Sequence, residues 1–217
     1  RRVLKEYPQE KISQDALANL LLSLSNIGRA EELVSTFNEH QARITEENRF
    51  FEGYFTVAQA LGVLNRYDEA LALLDKMLLA PTLSDEDRQK ILGKKAQMLV
   101  EAKRSPEAIA LIEQQLESGT GERDKTIFTK AEAFYDAGEF TKAAEEYAKL
   151  LTEEFATSSF VKDAKYGLAH ARYSAGSQEE AMELFLEYFY AGDDADKKRE
   201  ALSNALSIAQ KSGKDEK

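Results

Sequence analysis

The feature that most constrains this chain is the segment from Ile127 to Leu151, where two amphipathic helical runs meet at Gly138. Ile127, Ala131 and Phe134 have the i, i+4, i+7 spacing of one apolar helix face. After Gly138 the same spacing continues in Phe140, Ala143, Ala144, Tyr147, Leu150 and Leu151. Because glycine adopts the left-handed conformation that ends a helix at little steric cost, the segment predicts a helical hairpin.

This hairpin recurs along the chain. A small or aliphatic residue lies early in each second helix, at Leu33, Ala70, Ala108, Ala143 and Ala181, with spacings of 37, 38, 35 and 38 residues. The hinge lies five residues earlier each time, at Gly28, Asn65, Lys103, Gly138 and Gly176. Three glycines and an asparagine suit a left-handed helix cap, and Lys103 is the exception. The sequence therefore predicts five hairpins in one array.

Several helix starts are visible in the sequence. After Lys103, we expect Ser105 to cap the next helix and Pro106 to be its first residue. Ser84 with Asp87 and Ser177 with Glu180 have the spacing of a capping box.

The hairpins are predicted at about 13–41, 46–80, 84–117, 122–154 and 158–191, within a repeat region of 13–192. Residues 193–213 are predicted to form a C-terminal capping helix, with Asp193 and Asp194 at its start. Its inner face is expected to carry Ala201, Leu202, Ala205, Leu206 and Ala209. Residues 1–12 match the end of a preceding repeat, so we expect the chain to be a fragment, and 214–217 to be a frayed tail.

The hairpin at 127–151 resembles a tetratricopeptide repeat (TPR). The residues that carry the resemblance are Ala131, Phe134, Gly138, Phe140, Ala143 and Tyr147, and Lys130 replaces the family's usual leucine. The resemblance implies an all-α fold, a right-handed α-solenoid of stacked helical hairpins. It also implies a non-catalytic scaffold for protein–protein interaction.

Hairpins one and five have long first segments that are similar to those of bacterial envelope proteins, such as the assembly lipoprotein BamD and the Tol-Pal-associated periplasmic repeat protein. The chain lacks the lipidated cysteine of such lipoproteins. This resemblance favours the periplasm or cell envelope over the cytoplasm. Two other functions stay open: the non-catalytic superhelical region of a larger envelope enzyme such as a lytic transglycosylase, and a self-assembling scaffold.

Composition narrows the function further. The net charge of −10 argues against nucleic-acid binding, which needs clustered lysine and arginine. The chain has no cysteine and only two histidines, and its longest apolar runs are a few residues, so we predict no metal, cofactor or membrane insertion. Adjacent acidic residues such as Glu145 and Glu146 are expected to be solvated. We predict no catalytic residues, because no constellation of nucleophile, base and acid is visible.

The predicted binding site follows from the resemblance, which implies that the first helix of each hairpin lines a concave groove. In hairpins four and five the groove positions include Phe128, Glu132, Tyr135, Tyr166, His170 and Tyr173. Exposed aromatic rings are good anchors for a protein or peptide segment, and Lys125, Glu132, Asp136 and Asp163 are expected to orient it. The alternative, that the rings pack hairpin against hairpin, is open. So are the identity of the partner and a homo-oligomeric state.

Overall fold

The computed structural model describes residues 11–44, 51–81, 83–118 and 122–213. These residues form eleven α-helices and two short 3-10 turns, and no strand occurs within them. The helices are α1 (Lys11–Asn26), α2 (Ala30–His40), α3 (Phe51–Val63), α4 (Tyr67–Leu78), α5 (Asp85–Glu101), α6 (Ser105–Ser118), α7 (Arg123–Asp136), α8 (Phe140–Lys149), α9 (Val161–Ser174), α10 (Gln178–Ala191) and α11 (Ala195–Lys211). The predicted all-α fold is confirmed. The predictions for residues 1–10 and for 214–217 lie outside the described residues.

The chain divides into two compact units, residues 1–102 and 103–217. In unit 1, α1 packs against α2 and α3, α3 also contacts α2 and α4, and α4 contacts α5. In unit 2, each helix from α6 to α11 packs against the next one along the chain, and α7 also contacts α9. The boundary between the units falls at the predicted hinge of hairpin three, so α5 ends unit 1 and α6 begins unit 2.

The five hinges share one backbone geometry. Each hinge residue has a positive φ: 70° at Gly28, 57° at Asn65, 59° at Lys103, 76° at Gly138 and 90° at Gly176. At Gly138, the hinge N–H donates to the Tyr135 carbonyl over 3.0 Å and the next N–H, from Glu139, donates to the Phe134 carbonyl over 2.9 Å. This pair of bonds is the Schellman motif, and it recurs at Gly28, Asn65 and Gly176. The predicted left-handed caps are therefore present, and Lys103 adopts the same conformation although it has a side chain.

The residue after each of these hinges has two roles: its N–H completes the C-terminal cap of the first helix, and it is also the N-cap of the second helix. Ser177 ends the motif of α9 and also precedes α10 as its N-cap, with ψ at 67°. At this ψ its side chain makes no capping hydrogen bond, so the predicted capping box at Ser177 is wrong. Ser105 is likewise not a cap, because α6 begins at Ser105 itself and the Arg104 carbonyl accepts the N–H of Ala108.

Capping residues that themselves have extended backbone behave as predicted. The Ser84 hydroxyl accepts the backbone N–H of Asp87 at 3.0 Å, and the Asp194 carboxylate accepts those of Asp196 and Lys197. Both capping residues have extended backbone, which directs the side chain back over the first helical turn.

The repeated small or aliphatic position early in each second helix is buried. Leu33, Ala70, Ala108, Ala143 and Ala181 are all completely buried. Between hairpins four and five, the Tyr147 ring lies on Gly167, where an added Cβ would come within 2.5 Å of the ring. Close helix packing in this part of unit 2 therefore needs both alanine and glycine.

Lys130, which departs from the family pattern, is nearly buried in unit 2. Its ammonium lies 3.4 Å from Glu146 and 3.2 Å from Glu113, and 5.5 Å from the centre of the Phe134 ring. Glu146 is buried and also accepts from Lys149 at 2.7 Å. The expectation that Glu146 is solvated is therefore wrong, because α8 turns this carboxylate toward the lysine that replaces leucine.

The last helix, α11, faces its neighbours through Ala201, Ala205 and Ile208, all buried. These residues form one cluster with Phe185 and Tyr188 of α10. Leu206 is 55% exposed, although we predicted it on the inner face. The prediction was wrong because the buried residues follow i, i+4, i+7 from Ala201, which turns Ile208 inward and Leu206 outward.

Candidate functional site

The six predicted site residues lie on two contacting helices of unit 2. Phe128, Glu132 and Tyr135 belong to α7, and Tyr166, His170 and Tyr173 belong to α9. Both are first helices of their hairpins, as the resemblance implies. The two helices contact each other directly, so these residues share one side of the unit.

Phe128 and Tyr166, here called the inner pair, are half-buried against other helices. The Phe128 ring lies 5.1 Å from Phe160 and 5.7 Å from Tyr147, between centroids. The Tyr166 ring lies 4.9 Å from the Tyr188 ring of α10, and Lys197 of α11 lies 5.7 Å from its centre. Burial raises the pKa of Tyr166, and Glu200 raises it further. The inner pair therefore packs one hairpin on the next.

Tyr135 and Tyr173, here called the outer pair, lie nearer to the hinges. The Tyr135 ring packs edge-on against Phe140, and its hydroxyl is 3.4 Å from the Ser174 hydroxyl of α9. Tyr173 is 36% exposed and accepts a hydrogen bond from Lys211 over 3.4 Å. The outer pair thus borders a solvent-facing surface that α7 and α9 both supply.

Glu132 is half-buried between the two pairs. The pKa of the Tyr147 hydroxyl is raised mainly by burial and secondarily by the Glu132 charge. The sequence assigned Tyr147 to the core alone. In the structure its ring is buried, and the charges of Asp136 and Asp163 also raise the pKa of its hydroxyl.

His170 lies one helical turn after Tyr166. Its ring is 4.6 Å from the Tyr166 ring and 4.9 Å from the Phe185 ring, measured between centroids. Nε2 is 3.8 Å from a carboxylate oxygen of Glu200. Burial lowers the pKa of His170, and Glu200 offsets part of that effect.

The charges near this surface are largely paired inside the unit. Asp163 accepts from Lys197 at 2.6 Å, Asp136 accepts from Lys103 at 2.8 Å, and Lys125 lies 3.5 Å from Glu122. Lys197, Glu200 and Lys211 of α11 were not among the predicted site residues. Extending the array by one more first helix would have placed α11 beside α9 and pointed to them.

Other kinds of site have little support in this part of the chain. Among the described residues, no group of three or more histidine, cysteine, aspartate or glutamate side chains is arranged to hold a metal ion. Within the same residues, no helix has the length and apolar character needed to cross a membrane.

Residues 128–196 match the model of the tetratricopeptide repeat family. A TPR protein from Parabacteroides merdae superposes with a TM-score of 0.72, at 13% identity, over 100% of this chain and 84% of that chain. MamA from Desulfovibrio magneticus superposes with a TM-score of 0.65 at 17% identity, over 83% of this chain and 97% of that chain. YrrB, described as a TPR protein with an unusual peptide-binding site, superposes with a TM-score of 0.61 at 16% identity, over 93% of this chain and 96% of that chain. No curated protein sequence matches the chain.

The chain is thus a helical-repeat solenoid with the tetratricopeptide-repeat fold. Its matched segment, from α7 to the start of α11, is a tetratricopeptide repeat region by sequence as well. Proteins with this fold typically serve as non-catalytic scaffolds that bind protein or peptide partners.

Proposed function

We propose that this chain is a protein-interaction scaffold whose unit 2 holds a peptide or protein segment on the surface shared by α7 and α9. One observation carries the proposal: the Tyr135 hydroxyl lies 3.4 Å from Ser174, the residue next to the exposed Tyr173. The two first helices therefore bring the outer pair to one surface. The peptide-binding site ascribed to YrrB, which has a similar fold, supports this choice.

The outer pair supplies the anchoring chemistry. Tyrosine offers a large apolar area, a hydroxyl that both donates and accepts, and few rotatable bonds to immobilise. The inner pair is committed to contacts with Phe160, Tyr147 and Tyr188. We therefore narrow the predicted anchors from four rings to Tyr135 and Tyr173, with the inner pair as their support.

Charge pairing indicates what kind of segment would fit. Because Asp136 and Asp163 already accept from lysines of this unit, a charged partner would have to compete with these contacts. An apolar or hydroxyl-rich segment would not have to compete with these ion pairs. We expect affinity to change little between low and physiological salt, since the binding would not depend on long-range charge attraction.

The test begins with a photo-crosslinking amino acid placed at position 135 or 173, with position 190 as the control. Tyr190 is also a tyrosine of unit 2 and is 78% exposed. Cross-links to one partner protein from positions 135 and 173, but not from 190, would support the proposal. Equal cross-linking from all three positions would contradict it.

A variant then measures the anchors. Tyr135→Ala with Tyr173→Ala should weaken binding of the cross-linked partner by about 2 kcal/mol, in the range of truncated interface anchors. Tyr190→Ala should leave binding unchanged. Circular dichroism and the melting temperature of the double variant report folding. If binding falls only in proportion to the unfolded fraction, the rings are structural and the proposal fails.

A location in the bacterial periplasm stays a prediction from the resemblance of hairpins one and five. It does not bear on the surface proposed here.

A further inference from the structure

His170 lies where three helices meet, and its imidazole is poorly satisfied there. The ring packs against Tyr166 and Phe185. Nε2 is shielded from solvent and has no hydrogen-bond partner among the described residues, because the nearest acceptor, Glu200, is 3.8 Å away. A buried polar atom without a partner costs stability and marks a position where a change of protonation has consequences.

The helix on the far side of His170, α11, is held by one apolar cluster in which Ala169, Phe185 and Tyr188 meet its inner face. Two of the three buried residues of α11 are alanines, Ala201 and Ala205, and the third is Ile208. Polar contacts between α9 and α11 add to this cluster: Lys197 with Asp163, Glu200 beside His170, and Lys211 with Tyr173. A change of charge at His170 therefore acts directly on the polar contacts that α11 makes with α9.

We propose that His170 is a pH-sensitive latch for α11: the neutral imidazole keeps α11 docked on α9 and α10, and the protonated imidazole loosens it. Protonation would place a positive charge on a ring that is only 25% exposed and packs against the Tyr166 and Phe185 rings. The cost of removing that charge from solvent exceeds the attraction of Glu200, which is itself largely exposed and 3.8 Å away.

Titratable groups on α9 and on the helices of the same unit set the balance. They include Asp163, Tyr166 and Tyr173 on α9; Tyr188 on α10; Lys197, Glu200 and Lys211 on α11; and Glu132, Tyr135, Asp136 and Tyr147 on α7 and α8. Asp163 is already paired with Lys197, and Asp136 with Lys103. Glu200 is the acid closest to the imidazole.

The sign follows from the direction of the shift. Burial lowers the pKa of His170 in the folded state below the ordinary value of 6.5. The folded state therefore binds this proton less readily than the undocked state does. The latch contributes fully above pH 6.5, and its contribution falls as the pH drops from 6.5 through the folded-state pKa. The docking equilibrium should weaken by up to about tenfold for each unit by which the pKa is lowered.

Two measurements on the full chain test the latch. An NMR titration of the two histidine rings should give His170 a pKa below 6.5. Amide hydrogen exchange at pH 7.5 and 5.5, corrected for the intrinsic rate, should show lower protection of α11 at pH 5.5. Protection of α8, a core helix of the same unit, should stay constant between the two values.

The chain offers a matched control in its only other histidine, His40. His170→Gln should remove the pH dependence of α11 protection, and His40→Gln should leave it intact. If His170→Gln undocks α11 at both pH values, His170→Phe restores the ring volume between Tyr166 and Phe185 and should protect α11 at both. Glu200→Gln should lower the pKa of His170 further and increase the loss of protection at pH 5.5.

Three results would overturn the latch. These are a His170 pKa at or above 6.5, wild-type protection of α11 that is equal at the two pH values, and a pH response that persists in both His170→Gln and His170→Phe. Carboxylates do not confuse the test, because their ordinary pKa values lie near 4, below this range.

Discussion

The two members of each aromatic pair occupy equivalent repeat positions on α7 and α9, yet the surroundings of the inner pair differ from those of the outer pair. Phe128 and Tyr166 are packed by rings from three other structural elements. Tyr135 packs against Phe140 and Tyr173 is partly exposed, and each has a hydroxyl that reaches across to the next first helix, α9 for Tyr135 and α11 for Tyr173. The inner positions face the second helix of their own hairpin, and the outer positions lie beside hinges, where the helices end.

This difference teaches that the position within the repeat sets the surroundings of a ring. In both hairpins the earlier ring of the first helix is packed by other rings, and the later ring lies beside the hinge. The comparison therefore predicts that the two pairs separate stability from binding.

The largest effect is expected from the inner pair. Phe128→Ala or Tyr166→Ala should each lower the free energy of unfolding by about 2–4 kcal/mol, because a half-buried ring leaves a cavity between hairpins. Chemical denaturation with circular dichroism measures this, and Tyr190→Ala is the exposed control. A loss below about 0.5 kcal/mol in both variants would break the comparison, since inner rings would then behave as surface rings.

The contact that supports the inner pair gives the next largest effect. Gly167→Ala should destabilise by about 1–3 kcal/mol, because the new Cβ would overlap the buried Tyr147 ring. Gly93→Ala is the matched control: Gly93 also lies within a helix, but no atom lies within 4 Å of its added Cβ. There the alanine should stabilise by up to about 1 kcal/mol through helix propensity. Equal effects at the two glycines would contradict the packing described for α8 and α9.

A smaller effect is expected at the helix starts. Asp194→Ala should cost about 1 kcal/mol, since its carboxylate caps α11. Ser177→Ala should cost less than about 0.5 kcal/mol, because its side chain makes no capping bond. Thermal unfolding of the two variants in parallel gives the difference, and a larger loss at Ser177 would show that its hydroxyl caps α10 after all.

The smallest effect on stability belongs to the outer pair. Tyr173→Ala should change the free energy of unfolding by less than about 0.5 kcal/mol, since the ring is partly exposed and its one hydrogen bond, from Lys211, is long. Tyr135→Ala should cost somewhat more through its contact with Phe140. Denaturant midpoints that fall as far as those of the inner variants would erase the distinction between the pairs.

Much of the fold could be predicted because it depends on local rules. The role of a hinge glycine depends only on its own φ, and the position of a buried alanine depends only on the spacing within its helix. Gly138 and Ala143 could therefore be predicted from the sequence. Lys103 shows the limit of such rules. It adopts the same positive φ as the glycines, because the repeat imposes the hinge on whichever residue occupies it.

What the sequence did not predict depends on neighbours distant along the chain. The sequence predicts Glu146 as a surface acid, because nothing local shows that α8 brings it to Lys130 of α7. Leu206 and Ile208 both fit an apolar helix face, and only the position of α10 decides which one is buried. The site is the same kind of problem, because the repeat pattern identified the six residues but not α11, the helix that contacts three of them.

The hinges also determine where such an array can change in length. First and second helices are always joined by three residues, for example between Asn26 and Ala30 and between Asp136 and Phe140. The connections from a second helix to the next first helix vary, from Ala191–Ala195 to Lys149–Val161. An extra residue at a hinge would rotate the second helix by about 100° and turn its alanine away from the crossing. Insertions, whether evolved or engineered as a peptide tag or a sensor loop, are therefore expected to be tolerated in the connections from a second helix to the next first helix. They are not expected to be tolerated at the hinges.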